Sequence, residues 1–314
     1  MKYPRLTVCS LLIINGLQAQ LSNSFDITPP RFNQKDVNID GFLDEVEWSK
    51  SVSHSGFTSY LPVDGRLAED DTEVRIWYSP TALYVGLIAH EVHNEVRSTL
   101  ADRDNLENDD RLTLILDTYD DKRSAFAFTV NPLGQQRDGT ITDNTSMGRN
   151  SKPFRYDDNP DYVFNSKGRL TEDGFIVEIE IPFKSLRYQS KNTQNWGFNV
   201  LRYIQHSGYT STLFSTKIGV ASFLGQSGKL VNFSGIERDR IFDINPELRG
   251  AVSRTADDKK FNSEMTDPLG FNVRYGWSSN VGINATVNPD FSQIEADVAQ
   301  INYDPRRSLF FPEK

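Results

Sequence analysis

Residues 72–90 read TEVRIWYSPTALYVGLIAH, and this stretch decides the fold class. It contains two runs rich in β-branched and aromatic residues, 72–78 and 82–90, joined by Ser79-Pro80-Thr81. Runs of this length and composition, separated by turn residues, are typical of neighbouring β-strands. We therefore predict two strands here, and similar runs recur on both sides of this stretch.

The same rhythm covers residues 36–234, where short apolar or alternating runs are separated by Gly, Pro, Asn and Asp. Only Leu43–Lys50 has the pattern of a helix. Many short strands favour two packed antiparallel sheets over a parallel α/β sheet. We therefore predict an all-β fold, a jelly-roll-like antiparallel β-sandwich over residues 36–238, with strands at 36–40, 55–61, 72–78, 82–90, 111–118, 124–131, 161–167, 173–181, 196–205, 211–216 and 229–234.

Residues 135–159 interrupt this rhythm, because they contain few apolar residues and many Gly, Ser, Asn and Asp. Such a stretch is either a surface loop that displays binding groups or a disordered insertion without a function. The sequence leaves both alternatives open.

The first 19 residues have the pattern of a secretory signal peptide. A charged start precedes an apolar run from Leu6 to Ile14, and Ala19-Gln20 is the expected cleavage point. The alternative is a buried N-terminal strand. Export would remove Cys9, the only cysteine, so we expect no disulfide or thiolate chemistry in the mature chain. Residues 20–35 are expected to form an extended lead-in.

Composition and charge exclude two classes of protein. Apolar residues make up 37% of the chain, which suits a folded protein rather than a disordered one. The formal net charge is −9, and no stretch gathers Lys and Arg into a basic face, so nucleic acid is not an expected partner. After the N-terminus there is no run of 18 apolar residues, so we expect no transmembrane helix.

The pattern changes in residues 239–314. Residues 269–277 alternate Leu, Phe, Val, Tyr and Trp with Gly, Asn and Arg, and residues 281–287 alternate in a similar way. Joined by Ser278-Ser279-Asn280, they would form a hairpin with one apolar and one polar face. An apolar face toward lipid and a polar face toward a lumen are typical of a transmembrane β-barrel. An amphipathic hairpin on a soluble core has the same periodicity, so periodicity alone leaves both open.

Catalytic signatures such as G-x-S-x-G and H-E-x-x-H are absent from the sequence. Acidic residues are crowded between residues 102 and 121, but a glycosidase needs two facing carboxylates, one with a raised pKa. We expect these acids in hydrated turns, which do not raise a pKa. Calcium, which takes several oxygen ligands from acidic loops, is the better candidate, and solvated turn acids are the alternative. The candidate ligands are Asp102, Asp104, Asp109 and Asp110.

Aromatic residues are candidates for sugar binding, because a flat ring covers the apolar face of a pyranose. We expect Trp48, Trp77 and Trp196 in the core, since they lie in predicted strands or in the predicted helix. Residues at strand ends or in the stretch 135–159 are better placed for a ligand. These are Tyr119, Phe154, Tyr156 and Tyr162.

A series of motifs occurs in order along the chain: IDGFLDEVEW at 39–48, TEVRIWY at 72–78, ALYVGL at 82–87, NDDR at 108–111, FTVNPLG at 128–134, GFIVEIEIPFKSLR at 174–187 and NWGFN at 195–199. Over roughly residues 30–235, these motifs resemble family 9 carbohydrate-binding modules. The resemblance implies a β-sandwich that binds saccharides by aromatic stacking and polar contacts, often with calcium. It also implies polar ligand groups at Arg123, Asn131 and Asp138.

Three motifs in the tail, GFNVRYG at 270–276, NPDFSQIEAD at 288–297 and LFFPEK at 309–314, resemble an uncharacterised family. In that family a module of this kind precedes a long β-barrel in the Gram-negative outer membrane. The resemblance implies that residues 239–314 are the first strands of an outer-membrane barrel that continues beyond Lys314.

The leading interpretation is a non-catalytic, carbohydrate-binding-like module of an outer-membrane protein, exposed to the periplasm or the cell surface. Its expected partner is a polysaccharide or oligosaccharide, captured or taken up. Two alternatives remain open. One is an enzyme that hydrolyses glycosidic bonds, with catalysis beyond this chain or in the acidic turns. The other is a structural plug or scaffold for the barrel.

Overall fold

The structure is a computed structural model of the chain. It describes residues 26–33, 37–93, 95–100, 102–143, 154–220, 222–236, 242–248, 251–253, 262–264, 269–278 and 281–288. The expected signal peptide, 1–19, and the tail motifs after residue 288 lie outside the described residues. Among the described residues, no helix has the length and apolar character needed to cross a membrane.

The described chain consists almost entirely of β-strands, with a short α-helix, α1, at Val46–Lys50. The strands are β1 (Asp26–Ile27), β2 (Ser53–His54), β3 (Thr58–Leu61), β4 (Thr72–Tyr78), β5 (Ala82–His90), β6 (Arg111–Asp117), β7 (Ser124–Val130), β8 (Gln136–Asp143), β9 (Phe154–Asp157), β10 (Asn165–Thr171), β11 (Gly174–Pro182), β12 (Thr193–Ile204), β13 (Tyr209–Thr212), β14 (Gly228–Ser234), β15 (Phe242–Leu248), β16 (Ala251–Ser253), β17 (Asn262–Glu264), β18 (Leu269–Ser278) and β19 (Val281–Val287).

Two sheets form a β-sandwich, which confirms the predicted fold class. In the larger sheet the order is β1-β14-β12-β6-β7-β8-β9, and β13 and β3 extend it from β12. In the smaller sheet the order is β10-β11-β5-β4-β2. All pairs in both sheets are antiparallel except β1 with β14, which is parallel.

The main hydrophobic core lies between the two sheets. Alternate residues of each central strand face it, as the two-residue period of a strand requires: Leu83, Val85 and Leu87 from β5, and Leu112 and Leu114 from β6. Each of these five side chains is fully buried, and such burial stabilises a fold by about 1.5–3 kcal/mol per side chain. Trp196 also belongs to this core, as predicted.

The outer face of the smaller sheet is covered by the segment that includes α1. Trp77 and Tyr84 stack there with ring centroids 3.9 Å apart, and Trp48 packs edge-on against Trp77. The carboxylate of Glu178 on β11 accepts hydrogen bonds from the Trp48 ring nitrogen and from the backbone N–H groups of residues 40 and 41. Trp48 and Trp77 are therefore buried, as predicted, although in a cluster of their own.

The structure differs from the sequence prediction in several segments. Residues 37–40 form no strand, and the helix begins at Val46 rather than Leu43. The interpretation of residues 135–159 as a loop is wrong at both ends, because β8 and β9 lie there and extend the larger sheet from β7. The expected lead-in also contains β1, which pairs with β14.

In the tail, β15, β18 and β19 form a separate antiparallel sheet. The two strands predicted from the alternation, 269–277 and 281–287, are therefore confirmed as paired strands. The register places apolar side chains from all three strands on the same face. Several of these are exposed: Phe242, Ile244, Leu269, Phe271, Ile283 and Val287.

Candidate functional site

In the described part of the chain, a segment that contains Phe223 and Leu224 covers one half of the outer face of the larger sheet. There, Ile115, Ala127 and Ile141 project from β6, β7 and β8, and Phe223 and Leu224 pack over them. We call this region the covered half.

Asp143, at the end of β8, fastens the covering segment to the sheet. Its carboxylate accepts hydrogen bonds from the backbone N–H groups of Phe223 and Leu224 and from the Ser222 hydroxyl. These hydrogen bonds hold residues 222–224 against the covered half of the sheet.

A row of side chains that crosses four strands lies at the border between the covered half and the remaining half of this face, and its first member, Leu201, still packs in the covered half. Leu201 lies opposite Thr113, Thr113 opposite Thr129, and Thr129 opposite Arg137. Because Leu112 and Leu114 face the core, Thr113 and its row point to the outer face. The two threonine hydroxyls hydrogen-bond each other at 2.9 Å.

Arg111 and Tyr203 form the edge of this half, at the start of β6 and near the end of β12. They are cross-strand neighbours, and the guanidinium carbon of Arg111 lies 3.9 Å from the Tyr203 ring centroid. One guanidinium nitrogen, Nη1, faces the backbone carbonyls of residues 106, 107 and 109 at 3.3–3.4 Å. The side chain is therefore held by stacking on one side and by carbonyl groups at one nitrogen.

A second arginine–tyrosine pair lies on β8 and β9. The guanidinium carbon of Arg137 is 4.5 Å from the Tyr156 ring centroid, and its Nε and Nη2 atoms donate to the two oxygens of Asp158 at 2.9 and 3.1 Å. Tyr156 lies across Gly139, where an added Cβ would be only 2.7 Å from the ring. The glycine therefore lets this ring approach the sheet. We call the surface formed by Arg111, Thr113, Thr129, Arg137, Tyr156, Asp158 and Tyr203 the open face.

Charge and burial act together on the open face. Burial lowers the pKa of Arg111, and the positive charge of Arg137 lowers it further, against the opposing effects of Tyr203, Glu107 and Asp110. Burial also acts on Arg137, but its hydrogen bonds to Asp158 outweigh this and raise its pKa. Burial raises the pKa of Tyr156 above its usual range. All three groups therefore keep their ordinary protonation state at neutral pH.

The structure separates the six predicted ligand residues. Tyr156 alone lies on the open face. Tyr119 and Arg123 lie in the turn between β6 and β7, at the end of β6 opposite to Arg111 and about 20 Å from it along the strand. Since both are exposed, they remain available to a ligand, but not to one on the open face.

Asn131 and Asp138 are buried and bonded to the protein itself. The Asn131 amide donates to the Thr99 carbonyl and to Asp109, and its oxygen accepts from two backbone N–H groups. Asp138 is 1% exposed, pairs with Arg103 and accepts from the backbone N–H of Tyr162. The Tyr162 ring packs edge-on against Phe126. These contacts fix the ends of strands, so we leave the three residues out of the candidate site.

Three of the acids expected in hydrated turns are buried, contrary to the sequence expectation. Asp109, Asp110 and Asp117 are 1%, 2% and 3% exposed. Burial raises the pKa of Asp110 and Asp117, and their oxygens accept backbone N–H groups of neighbouring turns. Asp109 accepts from Thr99 and Asn131. These acids cap turns, which the sequence could not distinguish from solvated acids.

Asp102, by contrast, is exposed, and Asp104 lies beside the backbone N–H of Asp138. In the described part of the chain, no group of three or more His, Cys, Asp or Glu side chains is arranged to hold a metal ion. A calcium site at Asp102, Asp104, Asp109 and Asp110 thus stays a prediction, and titration with CaCl2 after EGTA treatment would test it.

Most of the open face escaped the sequence prediction. Arg111 and Tyr203 lie inside predicted strands, at positions whose neighbours Leu112 and Arg202 are buried. The sequence pattern that could identify them is their alternation with apolar residues. This pattern indicates that the side chains point away from the core, but it does not indicate that β6 and β12 are neighbours.

Comparison with known proteins supports the fold class. No family model matches the chain, and no curated protein matches it. The structure of a candidate carbohydrate-binding protein from Bacteroides uniformis is similar over 66% of this chain and 98% of its own, with a TM-score of 0.50 and 8% identity. At this identity the likeness concerns the fold alone.

A family 9 carbohydrate-binding module from Caldicellulosiruptor kristjanssonii is similar at lower scores. In its complex with cellotriose, the similar region covers 69% of this chain and 100% of the module's chain, with a TM-score of 0.46 and 16% identity. Its complex with glucose gives a TM-score of 0.45 at 16% identity, over 69% of this chain and 98% of its own.

Proposed function

We propose that the sandwich is a non-catalytic carbohydrate-binding module whose saccharide ligand lies on the open face. The observation that carries this proposal is the pair of arginine–tyrosine stacks, Arg111 with Tyr203 and Arg137 with Tyr156. Stacking holds each planar guanidinium in place and leaves part of its N–H edge free to donate. Aromatic rings beside fixed donors are the groups that saccharide sites use.

The threonine row adds one acceptor between the two stacks. The hydroxyls of Thr113 and Thr129 bond each other, and Thr129 is only 3% exposed, so the half-buried Thr113 is the residue whose hydroxyl keeps a capacity to bond a ligand. The candidate carbohydrate-binding protein of Bacteroides uniformis has a similar fold, so the proposal requires no fold that is new to proteins of that description.

Hydrolysis is not favoured by this arrangement. Within the described residues that define the open face, the one carboxylate is Asp158, and both its oxygens accept from Arg137. A glycosidase needs two carboxyl groups that face each other across the scissile bond. The open face therefore suits binding rather than cleavage.

The test is a saccharide array probed with the purified full-length chain. We expect binding to at least one saccharide, and loss of that binding in a Tyr156→Ala/Tyr203→Ala double variant that keeps the wild-type circular dichroism spectrum. A folded wild-type protein that binds no saccharide would overturn the proposal, as would a double variant that binds normally.

We further propose that the tail attaches the module to the Gram-negative outer membrane, where it serves in glycan capture or uptake. The exposed apolar face of β15, β18 and β19 supports this, because such a face is unfavourable in water. Fractionation of cells that express the full-length chain tests it. We expect the chain in the outer-membrane fraction after a carbonate wash, and recovery in the soluble periplasmic fraction would contradict the proposal.

A further inference from the structure

The two guanidinium groups of the open face differ in how their charge is balanced. Arg137 forms a bidentate ion pair with Asp158, and its side chain is 19% exposed. For Arg111, the described part of the chain contains no carboxylate within ion-pair distance; its contacts are the Tyr203 ring and three backbone carbonyls at one nitrogen. The hydrogen bonds of Arg111 thus use Nη1, and the N–H groups at Nε and Nη2 can donate to a ligand.

The positive charges of Arg111 and Arg137 also act on each other. The charge of Arg137 adds to burial in lowering the pKa of Arg111, so the two groups lie close enough to repel. Glu107 and Asp110 offset part of this repulsion. The side chain of Glu107 is exposed, so water and salt screen its charge, and the buried carboxylate of Asp110 already accepts hydrogen bonds from the backbone N–H groups of Arg97 and Gln205. The partly buried groups of the open face are therefore two cations and one carboxylate.

A partly buried cation without an ion-pair partner is costly, and an anionic ligand group would reduce that cost. A carboxylate matches the fork of a guanidinium and forms short, charge-assisted hydrogen bonds with it. A sugar carboxylate in this position would also bring the pyranose ring next to Tyr203 and the hydroxyl of Thr113.

We propose that the open face selects acidic saccharides, in which the carboxylate of a hexuronate residue binds the free edge of Arg111. This inference rests on the proposed function and specifies its ligand class. The whole chain carries a formal charge of −9 and repels long polyanions, so recognition is local and short oligomers are the appropriate ligands.

Calorimetry on the full-length chain tests the inference with three matched pairs of trisaccharides: galacturonate and galactose, glucuronate and glucose, mannuronate and mannose. We expect at least one uronate to bind roughly tenfold or more tightly than its neutral partner, which corresponds to about 1.4 kcal/mol. The preference should shrink when NaCl is raised from about 50 to about 500 mM, because the Debye length shortens.

Three variants identify the group responsible. Arg111→Gln should abolish the preference, Arg111→Lys should keep part of it, and Arg187→Gln should keep all of it, since Arg187 is exposed and lies outside the open face. Equal or tighter binding of the neutral partners, or a preference that persists in Arg111→Gln, would overturn the inference and leave the proposed function intact. Binding of none of the six trisaccharides, together with a blank array, would overturn both.

Discussion

The guanidinium carbon of Arg111 lies 3.9 Å from the centroid of the Tyr203 ring, across the β6–β12 pair. The two side chains project from adjacent strands on the face opposite to the core, so backbone pairing fixes their separation. A stacked guanidinium of this kind presents its donors in one plane and in one direction. Tyr203 is therefore both a contact surface and the support that orients Arg111.

Replacing Tyr203 by Ala should weaken saccharide binding. The variant loses the ring surface and the stack that orients Arg111, and a cation–π contact of this type contributes about 0.5–2 kcal/mol. We expect a loss of affinity of roughly tenfold, measured by calorimetry with a saccharide that binds the wild type. Tyr119→Ala is the matched control, because Tyr119 is exposed at the far end of β6. Equal losses in both variants would show that Tyr203 has no special role.

Gly139→Ala should disturb the second stack. The added Cβ would lie 2.4 Å from the carbonyl oxygen of Asp157 and 2.7 Å from the Tyr156 ring, so β9 must move away from β8. Overpacking of this kind destabilises a fold by about 1–3 kcal/mol. We expect both a lower melting temperature and weaker saccharide binding.

Gly197→Ala is the control for this substitution, since Gly197 lies on the larger sheet and an added Cβ there is 3.0 Å from the Cβ of Asp117. It should leave saccharide affinity close to that of the wild type. Normal affinity in Gly139→Ala would argue that Tyr156 does not contribute to the site.

Sequence patterns were informative where strands bury apolar residues. The runs at 72–78 and 82–90 predict strands with the bounds that β4 and β5 have, since each run is rich in apolar, β-branched and aromatic side chains that the structure buries. β8 was missed because Gln136–Asp143 contains a single large apolar residue, Ile141, and a buried carboxylate, Asp138. Backbone hydrogen bonding to β7 and β9 holds β8 in the sheet, and this pairing depends on the tertiary structure rather than on the local sequence.

The candidate site was less predictable than the fold. Tyr156 was identified because it is an aromatic residue in a polar stretch. Arg111 and Tyr203 were not identified, because they are 92 positions apart in the sequence and become neighbours only through the β6–β12 register. Single-sequence patterns assign a residue to a face of its own strand, but they do not determine which strands become neighbours.

Asp138→Ala should lower stability without changing saccharide affinity in the protein that remains folded. The substitution leaves the backbone N–H of Tyr162 without its acceptor and removes the ion-pair partner of Arg103, which keeps its hydrogen bonds to Gln136 and to the Tyr162 carbonyl. An unsatisfied buried polar group costs about 1–3 kcal/mol. Chemical denaturation measures the loss, and Asp138→Asn should show a smaller one. A variant of normal stability that fails to bind saccharide would instead assign Asp138 to the ligand, as its sequence position predicted.

Glu178 should make stability fall as pH rises. Burial raises its pKa from an ordinary 4.5 to about 7, and the nearby charge of Glu45 also raises it, although three N–H donors act in the opposite direction. Because the folded state holds the proton more tightly, the stabilising contribution is complete below about pH 4.5 and is lost as pH approaches 7. The loss is on the order of 3 kcal/mol, at 1.36 kcal/mol for each pKa unit.

Glu178→Gln separates this effect from every other titrating group. The free energy of unfolding, measured at about pH 5 and about pH 8, should fall more in the wild type than in Glu178→Gln. The same dependence in both proteins would mean that Glu178 keeps an ordinary pKa when it is buried beside Trp48.

The most direct test of the central claim is hydrogen–deuterium exchange of the full-length chain with and without a saccharide identified on the array. We predict slower exchange in peptides that cover residues 111–113, 129–137, 156–158 and 201–203, which carry the open face. Protection confined to other segments, such as the β6–β7 turn with Tyr119 and Arg123, would contradict the claim that the open face binds saccharide.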